Sequence, residues 1–120
     1  MAIRQPPTAT EVRQVLAAVR AGDLTPADTR HAVRSTLRWF AALHPGHTVE
    51  IRVPPHAAVQ AIEGPRHTRG TPPNVVETDP PTWLGLTTGQ LQWADVVADG
   101  RLRASGLRSD LSGFLPLADP

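Results

Sequence analysis

The sequence predicts one small domain that mixes helices with a sheet, and three observations carry that prediction. Near the N-terminus, apolar residues recur at helical spacing; from Thr48 to Val53 they alternate strictly with polar ones. From Asn74 to Leu117 the chain then reads strand, helix, tight turn, short helix, strand, helix, with almost no residue between elements. That last stretch organises the rest, and it holds Trp83, Trp93, Phe114 and Leu115.

Composition narrows the class. A chain of 120 residues is long enough for a single core, so residues 1–120 are expected to form one domain. With 40% hydrophobic and 19% charged residues it reads as globular rather than disordered. A net charge of +1 argues against a dedicated nucleic-acid binder, which carries a strong basic stripe. The absence of cysteine excludes disulfides, thiol catalysis, iron–sulfur clusters and cysteine-ligated zinc. The N-terminus has no apolar run suited to a signal peptide, and no run reaches the roughly 18 apolar residues of a membrane span. A soluble, cytoplasmic protein is the expectation.

Residues 1–7, with Pro6-Pro7, read as a flexible arm. Thr8 and Glu11 form a capping-box pattern before Val12, Val15, Leu16 and Val19, one face of a helix that Gly22 ends. Thr25, Pro26 and Asp28 open a second helix with Val33, Leu37, Phe40 and Ala41 on its buried face. Its Arg30, Arg34 and Arg38, spaced by four, are expected to line one exposed ridge, either a solvated face or a contact for an acidic partner or lipid headgroups. His44-Pro45-Gly46 stops this helix. Val49, Ile51 and Val53 alternate with Glu50 and Arg52, a half-buried strand. Ala58–Glu63 is its antiparallel neighbour beyond Pro54-Pro55, and Asn74–Thr78 is a short third strand.

Asp79 caps the next helix, with prolines in the first turn where no donor is missed, and Gly89 ends it. A short helix follows, with Val96 and Val97 expected to face inward. Arg101–Ser105 alternates as a fourth strand. Ser109 is expected to cap a last helix carrying Leu111, Phe114 and Leu115 on its apolar face.

Chemistry is sparse. His44 and His47 are separated by Pro45-Gly46, which breaks any helical ligand face, so no metal site is expected. No phosphate loop, dinucleotide fingerprint, nucleophile elbow or paired carboxylates stand out, and neither an enzyme nor a cofactor is expected. Arg66, His67 and Arg69 share a loop bounded by glycines, suited either to gripping a carboxylate or phosphate or to plain solvation. Trp83 and Trp93 read either as core or as pocket wall.

Asp79-x-x-x-Trp83, Leu86-x-x-Gly89-x-Leu91, Ala94, and Gly100-x-Leu102-x-Ala104-x-Gly106 together resemble the sterol carrier protein-2 superfamily. The wording TGQLQWADVVADGRLRASG and SDLSGFLPL is similar to short bacterial, notably actinobacterial, sterol-carrier-like proteins and to the C-terminal domains of mycothiol-dependent maleylpyruvate isomerase-like proteins. That resemblance implies an α+β fold: a mostly antiparallel five-stranded sheet, helices packed on one face, and an apolar cavity beneath them. It implies a non-enzymatic carrier of a fatty-acyl or other lipid-like molecule. Carried over by position, the cavity walls are Trp83, Leu86, Trp93, Val97, Leu111, Phe114 and Leu115, with Arg66, His67 and Arg69 as candidate anion contacts. The isomerase chemistry belongs to an N-terminal metal-binding domain outside the resemblance. The chain ends Ala118-Asp119-Pro120, without a peroxisomal tripeptide, which counts against a sterol ligand. The alternative from another class is a solid-cored module that binds a protein partner through the Arg30/Arg34/Arg38 ridge.

Overall fold

The computed structural model describes residues 5–64 and 73–117. Helix α1 (Ala9–Ala21) begins where the Thr8 hydroxyl accepts the Glu11 amide, and ends at Gly22, whose φ of 80° is the left-handed cap glycine tolerates best. Helix α2 (Pro26–Leu43) starts on a complete capping box, Thr25 and Asp28 each accepting the other's amide at 3.1 Å. Val12, Val15, Leu16 and Val19 on α1, and Val33, Leu37 and Phe40 on α2, are buried as their spacing predicts.

Strands β1 (Val49–Val53), β2 (Ala57–Ala61), β3 (Asn74–Thr78) and β4 (Leu102–Ser105) form one sheet in the order β2-β1-β3-β4. The expectation of five mostly antiparallel strands is corrected: the described residues hold four, and β1 and β3 are parallel. The register explains the direction of β3. Ala61, the end of β2, and Asn74, the start of β3, both pair with Val49 on opposite sides of β1. A chain that re-enters the sheet at the end it left must run alongside β1 in the same sense. The β1–β2 and β3–β4 pairs are antiparallel.

The sheet's two faces differ as period-two alternation demands. Val49, Ile51, Val53, Ala61, Val76 and Leu102 are buried beneath the helices. On the other face Arg52 pairs with Glu50 on its own strand and with Glu77 across β3 at 3.9 Å. Helix α2 packs over β2, with α1 and α3 (Pro80–Thr88) against α2.

Three further expectations are revised. Helix α4 (Trp93–Ala98) buries Val96 but leaves Val97 41% exposed, since adjacent helical residues point about 100° apart. The basic ridge is not uniformly exposed: Arg34 is half-buried and its Nε donates to the His56 carbonyl at 3.3 Å. The last helix is a single 3₁₀ turn, Ser112–Phe114. Ser109 turns its hydroxyl back to the Gly106 carbonyl at 2.8 Å instead of capping forward, and Gly113 and Pro116 disfavour helix within so short a segment.

Candidate functional site

Helix α3 is the centre of the molecule. Asp79 accepts the Thr82 amide at 2.8 Å, Pro80 and Pro81 fill the first turn, and Thr82 through Thr87 are all buried. A helix covered on every side belongs inside a fold, not on its surface. Gly85 admits Leu91 so closely that a Cβ there would lie 2.5 Å from the leucine Cδ1.

Trp83, wholly buried, sends its indole Nε1–H to the Thr36 hydroxyl of α2 at 2.9 Å. That hydroxyl donates in turn to the Ala32 carbonyl at 2.7 Å, so the polar pair inside the core is satisfied. The Trp83 ring meets Phe40 edge-on at 6.0 Å, and Phe40 meets Phe114 in the same manner at 6.2 Å. His44 stands beside both phenylalanines, with ring centroids 4.9 Å from Phe40 and 4.7 Å from Phe114. Since Phe114 is 36% exposed and Phe40 and Trp83 are not exposed at all, the rings form a run from surface to core.

The predicted wall residues divide on this frame. Trp83, Leu86 and Leu111 lie in the core; Phe114 and Leu115 lie at its edge, Leu115 half-buried against it. Trp93 is half-buried on α4, and Val97 faces outward into a shallow cleft of about 560 Å³ with Val75, Leu102 and Ala104. Trp83 and Phe114 are therefore joined through Phe40, while Val97 is directed elsewhere. Arg66, His67 and Arg69 lie outside the described residues.

A separate cleft of about 290 Å³ opens between α1, the start of α2 and α3, lined by Val19, Leu24, Leu84 and Leu91 with Thr29 and Gln90. None of its lining residues is charged. Among the described residues no three His, Asp or Glu side chains converge as a metal set, and no helix is long and apolar enough to cross a membrane.

The segment after β4 is fixed by Asn74, whose carboxamide donates to the Thr48 carbonyl and accepts the Arg108 amide, both at 2.9 Å. Asp110 then accepts the Ser112 amide at 2.9 Å, and that hydrogen bond holds its carboxyl below the ordinary value. Leu117 closes the segment by donating to the Thr87 carbonyl at 3.0 Å.

The sequence reading missed Thr36, His44 and Asn74 as parts of this arrangement. Thr36 left a signal: it sits three residues after Val33 within an apolar stripe, where a hydroxyl needs a buried partner. His44 follows Phe40 by one helical turn, but its contact with Phe114, like those of Asn74 with Thr48 and Arg108, joins residues distant in sequence and leaves no local signal.

A family model described as bacterial SCP ortholog matches residues 25–117, from the cap of α2 to the end of the described C-terminal segment. Among curated proteins none matches the chain.

Proposed function

The chain belongs to the bacterial SCP ortholog family, a group of sterol-carrier-like proteins, and on that premise we propose that it is a non-enzymatic carrier of a small apolar or amphipathic molecule. A fatty-acyl chain is the ligand class this reading favours. The observation that supports it is the run of rings from Phe114 through Phe40 to Trp83. Phe114 is the least costly part of the wall to move, because its ring is already 36% exposed and its backbone belongs to a single 3₁₀ turn. A ligand chain that takes the place of Phe114 and Leu115 lies against Phe40 and Leu111, within reach of Trp83. Each buried methylene contributes about 0.8 kcal/mol. A chain of about ten therefore offsets association costs at the lower end of their roughly 4–15 kcal/mol range.

The second reading is an interaction module with a solid core. It is favoured by the complete burial of Trp83, Phe40, Leu111 and their neighbours. It is weakened by Arg34, which is committed to the His56 carbonyl within the fold rather than held out for a partner.

Native mass spectrometry of the freshly purified protein, with solvent extraction of what it carries, tests the carrier reading. A co-purifying acyl species is expected. Phe114→Arg is expected to weaken binding of a fluorescent fatty acid about tenfold or more, while Leu24→Arg in the uncharged helical cleft leaves it unchanged. The reverse pattern would move the seat to that cleft. An empty protein that also ignores the fatty acid would sink the carrier reading in favour of the module.

A further inference from the structure

The face of the sheet turned away from the helices carries charges in register. Arg52 on β1 stands opposite Glu77 on β3, and Glu77 stands opposite Arg103 on β4. Signs alternate from strand to strand, as cross-strand neighbours favour. The run ends unbalanced. The Glu77 carboxylate lies 3.9 Å from the Arg52 guanidinium, while the Arg103 side chain is exposed and makes no ion pair or hydrogen bond among the described residues. On the far side of Arg52 the neighbour is uncharged Ala58, and Gln60 on the same strand is bonded to His47 at 2.8 Å. The unmatched charge of the run therefore sits on β4.

β4 is also an edge strand. β3 lies on one side of it and, among the described residues, no strand lies on the other. Beyond the β3 ladder no hydrogen bond among those residues engages the backbone of 102–105. Its outward N–H and C=O groups are open to a chain alongside. The cleft of about 560 Å³ beside Val97 lies along this strand and is lined from both of its faces. Glu77, Arg103 and Ser105 belong to the open face, Leu102 and Ala104 to the helix-covered one. A cleft lined from both faces of an edge strand wraps its outer edge.

Three features define what fits there. The backbone edge asks for an extended chain, Arg103 for an acidic side chain on one face, and exposed Val97 and Ala104 for an apolar one on the other. A strand in which acidic and apolar residues alternate meets all three, since successive side chains point to opposite faces. A second copy of β4 does not. Directly paired residues share a face, so β4 laid antiparallel on itself sets Arg103 opposite Arg101, Arg103 or Ser105 of the second copy, none of them acidic. A charge on an edge strand ordinarily guards it against unwanted pairing. On β4 the same charge leaves the edge open to an acidic strand.

We propose that the outer edge of β4 takes up an acidic, extended segment of a partner protein as an added strand, with Arg103 pairing a carboxylate and Val97 and Ala104 covering the apolar residue next to it. The proposal goes beyond the carrier reading and stands whether or not a ligand enters the core. A strand of four residues offers few ladder bonds, so the attachment is transient.

The test is fluorescence anisotropy of the full chain with a labelled peptide of repeating Val-Glu, beside a Val-Lys peptide and a Val-Glu peptide N-methylated at every residue. The Val-Glu peptide is expected to bind, less tightly as salt is added. Arg103→Ser is expected to weaken it about fivefold. That side chain is exposed and unpaired, so the fold stays intact, which circular dichroism checks. Val97→Ser, on a different element, is expected to weaken it by a similar factor. The amide resonances of residues 102–105 should shift on binding while those of α2 stay in place. Neither the Val-Lys nor the N-methylated peptide should bind, one lacking the charge and the other the backbone donors. No binding of the Val-Glu peptide, equal binding of either control, or affinity unchanged by both variants overturns the proposal. So do shifts confined to the Arg30/Arg34/Arg38 ridge, which would move the acidic contact to α2. A wild type that self-associates in sedimentation, and whose dimers exclude the peptide, overturns it as well; the edge then serves a second copy.

Discussion

The two opening helices and the closing segment from Gly106 to Leu117 bury their apolar residues by opposite means. Along α1 and α2 each buried side chain has a buried neighbour one turn away, and the helix starts are capped within three residues. In the closing segment Leu111 and Leu117 are buried while Ser112, Gly113 and Phe114 between them are exposed. What holds it is a set of isolated contacts: the Asn74 carboxamide, the Thr87 carbonyl and the His44 ring. A periodic element spreads its stability over many residues. A segment pinned at points depends on each of them, and it is also the part that can open without unfolding the rest.

The largest effect is expected where the two regions meet. Phe40 lies on the periodic stripe of α2 and touches both Trp83 and Phe114. Phe40→Ala should cost about 3–5 kcal/mol, measured by urea unfolding, because it removes a buried ring and leaves a cavity between regions that relax differently. A loss below about 1 kcal/mol, with the ligand-binding behaviour unchanged, would mean that the run of rings is not a continuous packed unit.

Asn74→Ala comes next. It strands the Thr48 carbonyl and the Arg108 amide together, at a cost of about 2 kcal/mol. The distribution sharpens the contrast more than the size does. Amide exchange at Arg108 and Leu117 should accelerate strongly while the amides of α1 keep their protection. A uniform acceleration along the chain would show that the closing segment unfolds only with the whole.

The same contrast decides what was legible in the sequence. The stripes of α1 and α2, the alternation of β1 and the caps at Thr25 and Asp79 are local signals, and the structure follows them to within a residue or two. The sheet's topology was not local. Nothing in the composition of β3 records that its first residue faces Val49 from the side opposite Ala61, and that pairing is what makes β1 and β3 parallel. The closing segment misled because Leu111, Phe114 and Leu115 have helical spacing, yet Leu111 is drawn into the core and Phe114 onto His44 by tertiary contacts. The burial of Trp83, Leu86 and Leu111 was legible, since each is a large apolar residue in a family pattern. Thr36 left the signal of a hydroxyl within an apolar stripe but not the identity of its partner Trp83, and the contact of His44 with Phe114 left none, since both depend on which rings come to lie beside them.

The smallest effect expected isolates local chemistry from its setting. Asp28 and Asp110 are both held below the ordinary carboxyl value, first by a backbone amide, that of Thr25 in one case and Ser112 in the other. A depressed folded-state value means that each contributes its stability above the unfolded value and loses it as pH falls through the folded one. The bonds are alike, but one opens an 18-residue helix and the other a single turn of three. Thr25→Ala, which breaks the box from its other side, should cost about 1 kcal/mol near neutral pH. The stability gap between wild type and Asp28→Asn should close as pH falls below the carboxyl range, because the protonated wild type then lacks the same charge. For Asp110→Asn the gap should be smaller at every pH, since an isolated turn passes on little of what the Asp110–Ser112 hydrogen bond gains. Equal gaps for the two variants, read from urea midpoints across the acid range, would show that the closing segment is coupled to the fold as tightly as α2, and that pinning at points costs the molecule nothing in cooperativity.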